Sequence, residues 1–443
     1  MRAPTGERGR PGGPDGGRHF DAVVIGAGVG GLCAAARLAK DGRRVLLAER
    51  GDRVGGRAST VEIDGFLVNT GAVAIEYGGV MEQTFHGVGA PWDIRVPDPS
   101  VLFRIRGRDV DLSKGGFGKL VQMATRKGAG LIDELGRARS GELPDQEMTT
   151  KEWLSKVTSN HTLHAVFRNL CAAIFAANSD EIPARAFLTY FVQKGAFRKF
   201  GFCPNGTLGL VRGLAGVVER HGGEVWLSSD VERVDVAGGL AGGATVRREG
   251  VAVEVTAGAV VSNTGPARTV ELCGREHFDA GYLARMEREL RPTANIVVNF
   301  ASQRALLDAP GILTFATTRR LCNMANLTAT CPELAPPGWN LYVAYGVPIP
   351  SVGDFDEEHE ISETLADLRD QLPGFADDAR ILSVKVMKGD EPAQRSIAGH
   401  DMPRETPVAN LWNVGDGVRT YANGGTQACA ETAKLVVDQV LSR

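Results

Sequence analysis

A glycine-rich turn set between two apolar runs constrains this chain more than any other feature. Residues 20–50 read FDAVVIGAGVGGLCAAARLAKDGRRVLLAER. Ala22 to Ile25 is a short apolar run suited to a buried parallel strand. Gly26, Gly28 and Gly31 then give the spacing G-x-G-x-x-G. A helix is predicted from about Gly30 to Lys40, with Leu32, Ala35, Ala36 and Ala39 on one face, and Asp41-Gly42 ends it. Val45 to Ala48 reads as a second strand, and Glu49 stands at its end, 18 positions after Gly31. Each part has a physical reason. Gly26 allows the tight turn, Gly28 lets a pyrophosphate approach the backbone, and Gly31 lets helix and strand pack closely. Around Val29 and Gly30 the helix start presents unpaired N–H groups and a partial positive charge to phosphates. Glu49, with Arg50 beside it, can accept hydrogen bonds from both ribose hydroxyls, which suits an adenosine without a 2′-phosphate. The unit predicts an α/β chain with a Rossmann-like dinucleotide-binding domain.

Directly behind this unit comes a second glycine turn, ERGDRVGGRAST, at residues 49–60. Backbone amides around Gly55 and Gly56, with Arg57, could cover the far side of a long ligand's pyrophosphate. The order G-x-G-x-x-G, acid, then G-G-R-x-x-[ST] resembles the flavin-containing amine oxidase and phytoene desaturase superfamily. That resemblance implies FAD. Further segments share it. GFLVNTGAVAIEYGG (65–79) looks like the family stretch that passes near the flavin ring, which implies contacts from Gly71, Ala72 and Val73. Asn69 stands there where an aspartate is commoner. Residues 203–234 resemble a glycine turn, amphipathic helix and strand pair, and the resemblance implies adenine contacts from the backbone of Val231. Asn205 and Thr207 depart from the usual residues of that turn. GAVVSNTGPARTVEL (258–272) is similar to the desaturase V-V-x-N-x-x-P segment and brings in Asn263.

The C-terminal signal, residues 410–441, is stronger. A strand ends at Val414, Gly415-Asp416 follows, and a helix is predicted from about Gly425 to Val440. In the family this Gly-Asp contacts the ribityl–phosphate region. The helix start, here Gly425, Thr426 and Gln427, points at the flavin pyrimidine end, where its dipole stabilises negative charge. Gly399 and His400, closing PAQRSIAGH, loosely resemble the G-H of protoporphyrinogen oxidases. Covalent amine oxidases carry a cysteine in that region. Ala393 to His400 holds none, so the expected FAD is non-covalent.

Composition bounds the rest. Lys and Arg total 50 against 53 Asp and Glu, so no basic field points to nucleic acid. The seven cysteines are scattered without a C-x-x-C pair, which suggests a reducing, cytoplasmic setting and no zinc site. Residues 1–18 hold glycine, proline and arginine but no core, and are expected to be a disordered tail. No run is long and apolar enough for a spanning helix, while peripheral membrane contact stays open. Because the FAD-like segments interleave with others, the FAD domain is expected at 19–80, 205–272 and 385–443. A discontinuous mixed α+β substrate domain would occupy 81–204 and 273–384. Its first part reads as helical, with a capping-box spacing at Thr149 and Glu152. Its second part reads as stranded in ANIVVNF, GILTFATT, LYVAYGV and ILSVKVM.

A flavin accepts a hydride at N5 without a protein nucleophile, so catalytic residues are hard to read. Tyr421, Tyr77 and Glu76 are pocket candidates from loops expected near the flavin. Tyr342 and Tyr345, three apart on a strand, face opposite sides, so at most one reaches the pocket. His161 and His164 lack an apparent third ligand, so no metal is expected. The leading reading is an FAD-dependent dehydrogenase or desaturase acting on a C–C or C–N bond of a small hydrophobic metabolite. The V-V-S-N and glycine-turn segments lean toward the phytoene desaturase and carotenoid isomerase branch. The alternatives are an amine oxidase making imine and hydrogen peroxide, and a non-catalytic prenyl-protein-binding module of the same fold. The electron acceptor, oxygen or a quinone, stays open, as do the oligomeric state and the choice between net oxidation and isomerisation.

Overall fold

The computed structural model describes residues 18–105, 107–111, 129–193 and 199–443. The two apolar runs of the nucleotide unit form neighbouring parallel strands, Arg18–Ile25 and Val45–Ala48, joined by helix Val29–Lys40. Ala22 to Ile25 and all of Val45–Ala48 are buried, as expected for parallel strands covered on both faces. They lie inside a seven-stranded sheet. Its order is Ser229–Ala237, Leu240–Arg248, Val251–Ser262, Arg18–Ile25, Val45–Ala48 and Glu224–Trp226, and Leu411–Asn413 pairs with the end of Val251–Ser262. The pairs around Arg18–Ile25 are parallel, while Ser229–Ala237 and Leu240–Arg248 form an antiparallel extension. Three separated stretches of chain therefore build one sheet. Arg18 already belongs to its first strand, so the expected tail of 1–18 is one residue too long; residues 1–17 lie outside those described.

Helix Val29–Lys40 is mostly buried because its alanines let two other helices close over it. Its Leu32, Ala35 and Leu38 share a core with Val211, Leu214 and Val218 of helix Gly206–Arg220, and with Ala430, Ala433 and Val437 of helix Gly425–Leu441. The C-terminal helix is thus held against the N-terminal nucleotide unit.

A second seven-stranded sheet has the order Arg380–Met387, Asn295–Ser302, Asn340–Gly346, Leu321–Asn326, Ile312–Phe315, Val101–Ile105 and Arg108–Asp111. All pairs are antiparallel except Ile312–Phe315 with Val101–Ile105. One face, with Ile296, Val298 and Phe300, packs on Leu368 of helix Glu357–Gln371 and on Leu372 and Phe375 just after it. The other, with Val297, Ala301 and Val343, packs on Phe66, Val68, Val73 and Phe202. Two expectations change here. Val101–Ile105 and Arg108–Asp111 are strands within a region that reads as helical, and strand Arg380–Met387 runs across the expected boundary at 384/385. The helical reading does hold for Thr150–Val157, His161–Phe175 and Ala184–Leu188. Thr149 caps the first of these in a full capping box with Glu152.

Candidate functional site

The two glycine turns meet. Gly28 forms a parallel bridge to Gly55, and a Cβ on Gly56 would lie only 3.7 Å from the Gly28 Cα. Gly26 takes φ +89°, and its N–H donates to the Ala48 carbonyl at 2.8 Å. A Cβ on Gly31 would fall 2.0 Å from the Gly26 carbonyl oxygen, so this glycine serves close packing and does not line the cavity. Cβ atoms on Gly28 and Gly30 would each fall 2.6 Å from the Asn263 side chain, which braces the turn from behind. The helix that starts at Val29 has no capping side chain at Gly28, so its first N–H groups remain available to an anion. Glu49 ties the turns together: it accepts from Ala27 N at 2.7 Å and from Gly51 N at 2.8 Å.

Arg57 is placed differently from expectation. Instead of standing free for a phosphate, its terminal nitrogens donate to both oxygens of Asp416, at 2.6 and 2.8 Å. One of them also donates to the carbonyls of Pro392 and Ala393, at 3.0 and 3.2 Å. Asp416 accepts further from Arg395 N at 3.0 Å. Burial works to raise the Asp416 pKa, but the Arg57 charge and hydrogen bonds, with Arg395 and Arg419 behind them, outweigh it. The carboxyl is held well below the usual range. Burial likewise opposes the Arg57 cation, and Asp416 more than compensates.

Around these turns lies a continuous cavity of about 1030 Å³. That is the upper end for ligand sites, room for a dinucleotide together with a substrate. Most of the expected cofactor residues line it: Gly26, Gly28, Val29, Gly30, Glu49, Arg50, Gly55, Gly56, Arg57, Gly71, Ala72, Val73, Val231, Asn263, Asp416, Gly425 and Thr426. Gly31, Gly415 and Gln427 do not. Gly415 turns the chain at φ +105°, which glycine adopts freely, and is anchored through its N–H to Thr432. Gln427 points instead at strand Ile75–Glu76 and helix Val80–Val88, accepting from Met81 N and donating to the Glu76 carbonyl, both at 3.1 Å.

The rest of the wall is largely apolar, with Phe103, Leu170, Ile174, Tyr190, Phe191, Phe202, Met324 and Val347. Of the strand tyrosines, Tyr345 lines the cavity and donates to the Gly71 carbonyl at 2.6 Å. Tyr342 turns to the opposite core and stacks on Phe300 with ring centroids 4.8 Å apart. Glu76 lines the cavity, but Tyr77 and Tyr421 do not. Tyr77 is 41% exposed, and the Tyr421 hydroxyl donates to Gln146 at 2.6 Å. His164 bonds the Thr158 carbonyl, and among the described residues no group of three or more metal-ligating side chains assembles. Asn69 and Thr207, which depart from the family pattern separately, touch: Thr207 donates its hydroxyl to Asn69 Oδ1 at 3.0 Å. Arg395 also lines the cavity; it stands in the PAQRSIAGH segment, whose resemblance rests on Gly399 and His400 and does not point to the arginine.

A sheet with a parallel core behind a glycine turn, a second mixed sheet and a cavity between glycine turns and apolar strands set the class, a Rossmann-like oxidoreductase. The chain belongs to the flavin containing amine oxidoreductase family, whose model matches residues 29–441, and is a flavin-dependent oxidoreductase. It is 22% identical over 424 residues to an uncharacterized protein of Methanocaldococcus jannaschii, covering 95% of this chain and 99% of that one. It is 21% identical over 460 residues to the 15-cis-phytoene desaturase of Solanum lycopersicum, covering 96% and 78%. The crystal structure of an oxidoreductase from Methanosarcina mazei superposes with a TM-score of 0.83 at 26% identity, covering 94% and 99%. No helix among the described residues is long and apolar enough to cross a membrane.

Proposed function

We propose that the protein binds FAD non-covalently and dehydrogenates a C–C or C–N bond of a small hydrophobic metabolite. The observation that carries this reading is the single cavity, in which glycine turns and arginines adjoin a largely apolar wall. The residues fit a flavin dinucleotide. The uncapped helix start and the two abutting glycine turns form a cradle for phosphates, and Glu49 with Val231 suits an adenosine. When bound, the flavin supplies the two-electron acceptor. The protein's part is to bind, orient and exclude water. Tyr345 holds the Gly71 segment in place through its hydroxyl. The thiols of Cys322 and Cys429 in the wall are pushed up to about 12 by burial, which keeps them protonated and poor at bonding a flavin.

The family's amine oxidase chemistry is the second reading. Apart from Glu76, the wall away from the glycine turns is largely apolar, which favours a neutral substrate over a cationic amine, and the pocket candidate Tyr421 lies off the cavity. Anaerobic bleaching of the visible flavin band by neutral lipophilic compounds, with amines as the comparison, tests this. Bleaching by amines alone, with peroxide released in air, would establish the second reading instead.

A further inference from the structure

We propose that Arg395, and not Arg57, makes the cationic contact to the cofactor's pyrophosphate. This rests on the flavin dinucleotide reading above. The Arg57 guanidinium is already committed to Asp416 and two backbone carbonyls. Arg395 lines the same cavity, and its guanidinium makes no hydrogen bond or ion pair to any described residue, although its backbone N–H is fixed to Asp416.

Gly265 shapes the slot for its stem, and Gly417 lies in ordinary contact with it. A Cβ on Gly265 would meet Arg395 Cδ at 2.7 Å, and one on Gly417 would meet Arg395 Cβ at 3.5 Å. Gly265 lies two residues beyond Asn263, whose side chain abuts Gly28 and Gly30. The side chain therefore rises beside the glycine turn, where a pyrophosphate approaches the backbone.

The anions around it do not offset burial and the neighbouring arginines. Arg57 and Arg50 oppose its charge; Asp416 and Asp390 favour it. Asp416 is already neutralised by Arg57. Burial and the two arginines prevail, and the affinity of Arg395 for its proton is lowered. A diphosphate would supply the missing negative charge and accept the planar N–H fork in a charge-assisted, two-pronged contact.

The test is the affinity of the flavin-stripped protein for FAD and for riboflavin, which has no phosphate, in wild type, Arg395→Gln and Arg395→Lys. FAD binding should weaken by about tenfold or more in Arg395→Gln, with Arg395→Lys between it and wild type. Riboflavin binding and the unfolding temperature of the stripped protein should not change. The salt dependence of FAD binding should flatten in Arg395→Gln, because one phosphate-facing charge is gone. FAD affinity and salt slope equal to wild type would overturn the assignment. So would equal losses of FAD and riboflavin, which indicate a collapsed site. A wild-type protein that takes up neither flavin would instead refute the flavin reading itself.

Discussion

Asp416 and Arg57 form a two-pronged ion pair at 2.6 and 2.8 Å across 359 residues of sequence. The pair joins the second glycine turn to the loop that opens the C-terminal helix. It closes the interleaved nucleotide-binding region at the cavity wall, and it changes what both residues are expected to do.

Arg57→Ala should act first on stability. The Asp416 side chain is 9% exposed, so removing its partner strands a buried carboxylate at a cost of about 3 kcal/mol. Arg57→Lys keeps the charge but loses the fork, and should cost less. Urea denaturation of the flavin-stripped variants measures both, and an unaffected midpoint in Arg57→Ala would contradict a structural role.

Acid should weaken the protein through the same pair. The folded-state pKa of Asp416 is depressed, so as pH falls below the ordinary carboxylate value of about 3.9 the unfolded chain takes up the proton first. The pair's stabilisation is full above that value and is lost progressively below it, towards the depressed folded value. Asp416→Asn should flatten the dependence of the denaturation midpoint on pH in this acid window and leave its slope near neutrality unchanged.

Two glycines three residues apart should fail differently. Gly31→Ala drives a Cβ to 2.0 Å from a backbone oxygen, so helix Val29–Lys40 must move off its strand, and poor folding is expected. Gly28→Ala meets only the end of the Asn263 side chain, which can shift. That variant should fold with a near-normal unfolding temperature but bind flavin weakly, because making room for the methyl displaces Asn263 and the turn it braces for the pyrophosphate. Comparing unfolding temperature with flavin content for each variant separates the outcomes.

Tyr345→Phe removes the hydrogen bond to the buried Gly71 carbonyl and should destabilise the protein by about 1–2 kcal/mol. The phenyl ring keeps the packing, so flavin content should stay near wild type. Denaturant midpoints and the ratio of visible to ultraviolet absorbance check the two halves of this prediction.

How legible each feature was depended on how local its cause is. The strands flanking Gly26 to Gly31, helix Val29–Lys40 and the Thr149 capping box arise from residues close in sequence, and pattern alone locates them. Strands Val101–Ile105 and Arg108–Asp111 carry Arg104, Arg108 and Asp109, which break the apolar run that marks a strand; only pairing within the second sheet defines them. Arg57 reads as a phosphate ligand because its partner comes from the other end of the chain. Arg395 escapes notice for the same reason: its slot is made by Gly265, on another segment. Tyr421 and Gln427 have the right neighbours in sequence, but their contacts to Gln146 and to Met81 and Glu76 direct them elsewhere.

The most direct test of the central claim is the visible absorption spectrum of the purified protein, repeated on the supernatant after denaturation. The expected result is a flavin spectrum that passes wholly into the supernatant as FAD. A colourless protein that takes up no FAD when it is added would contradict the flavin assignment, and a flavin that stayed with the precipitate would contradict non-covalent binding.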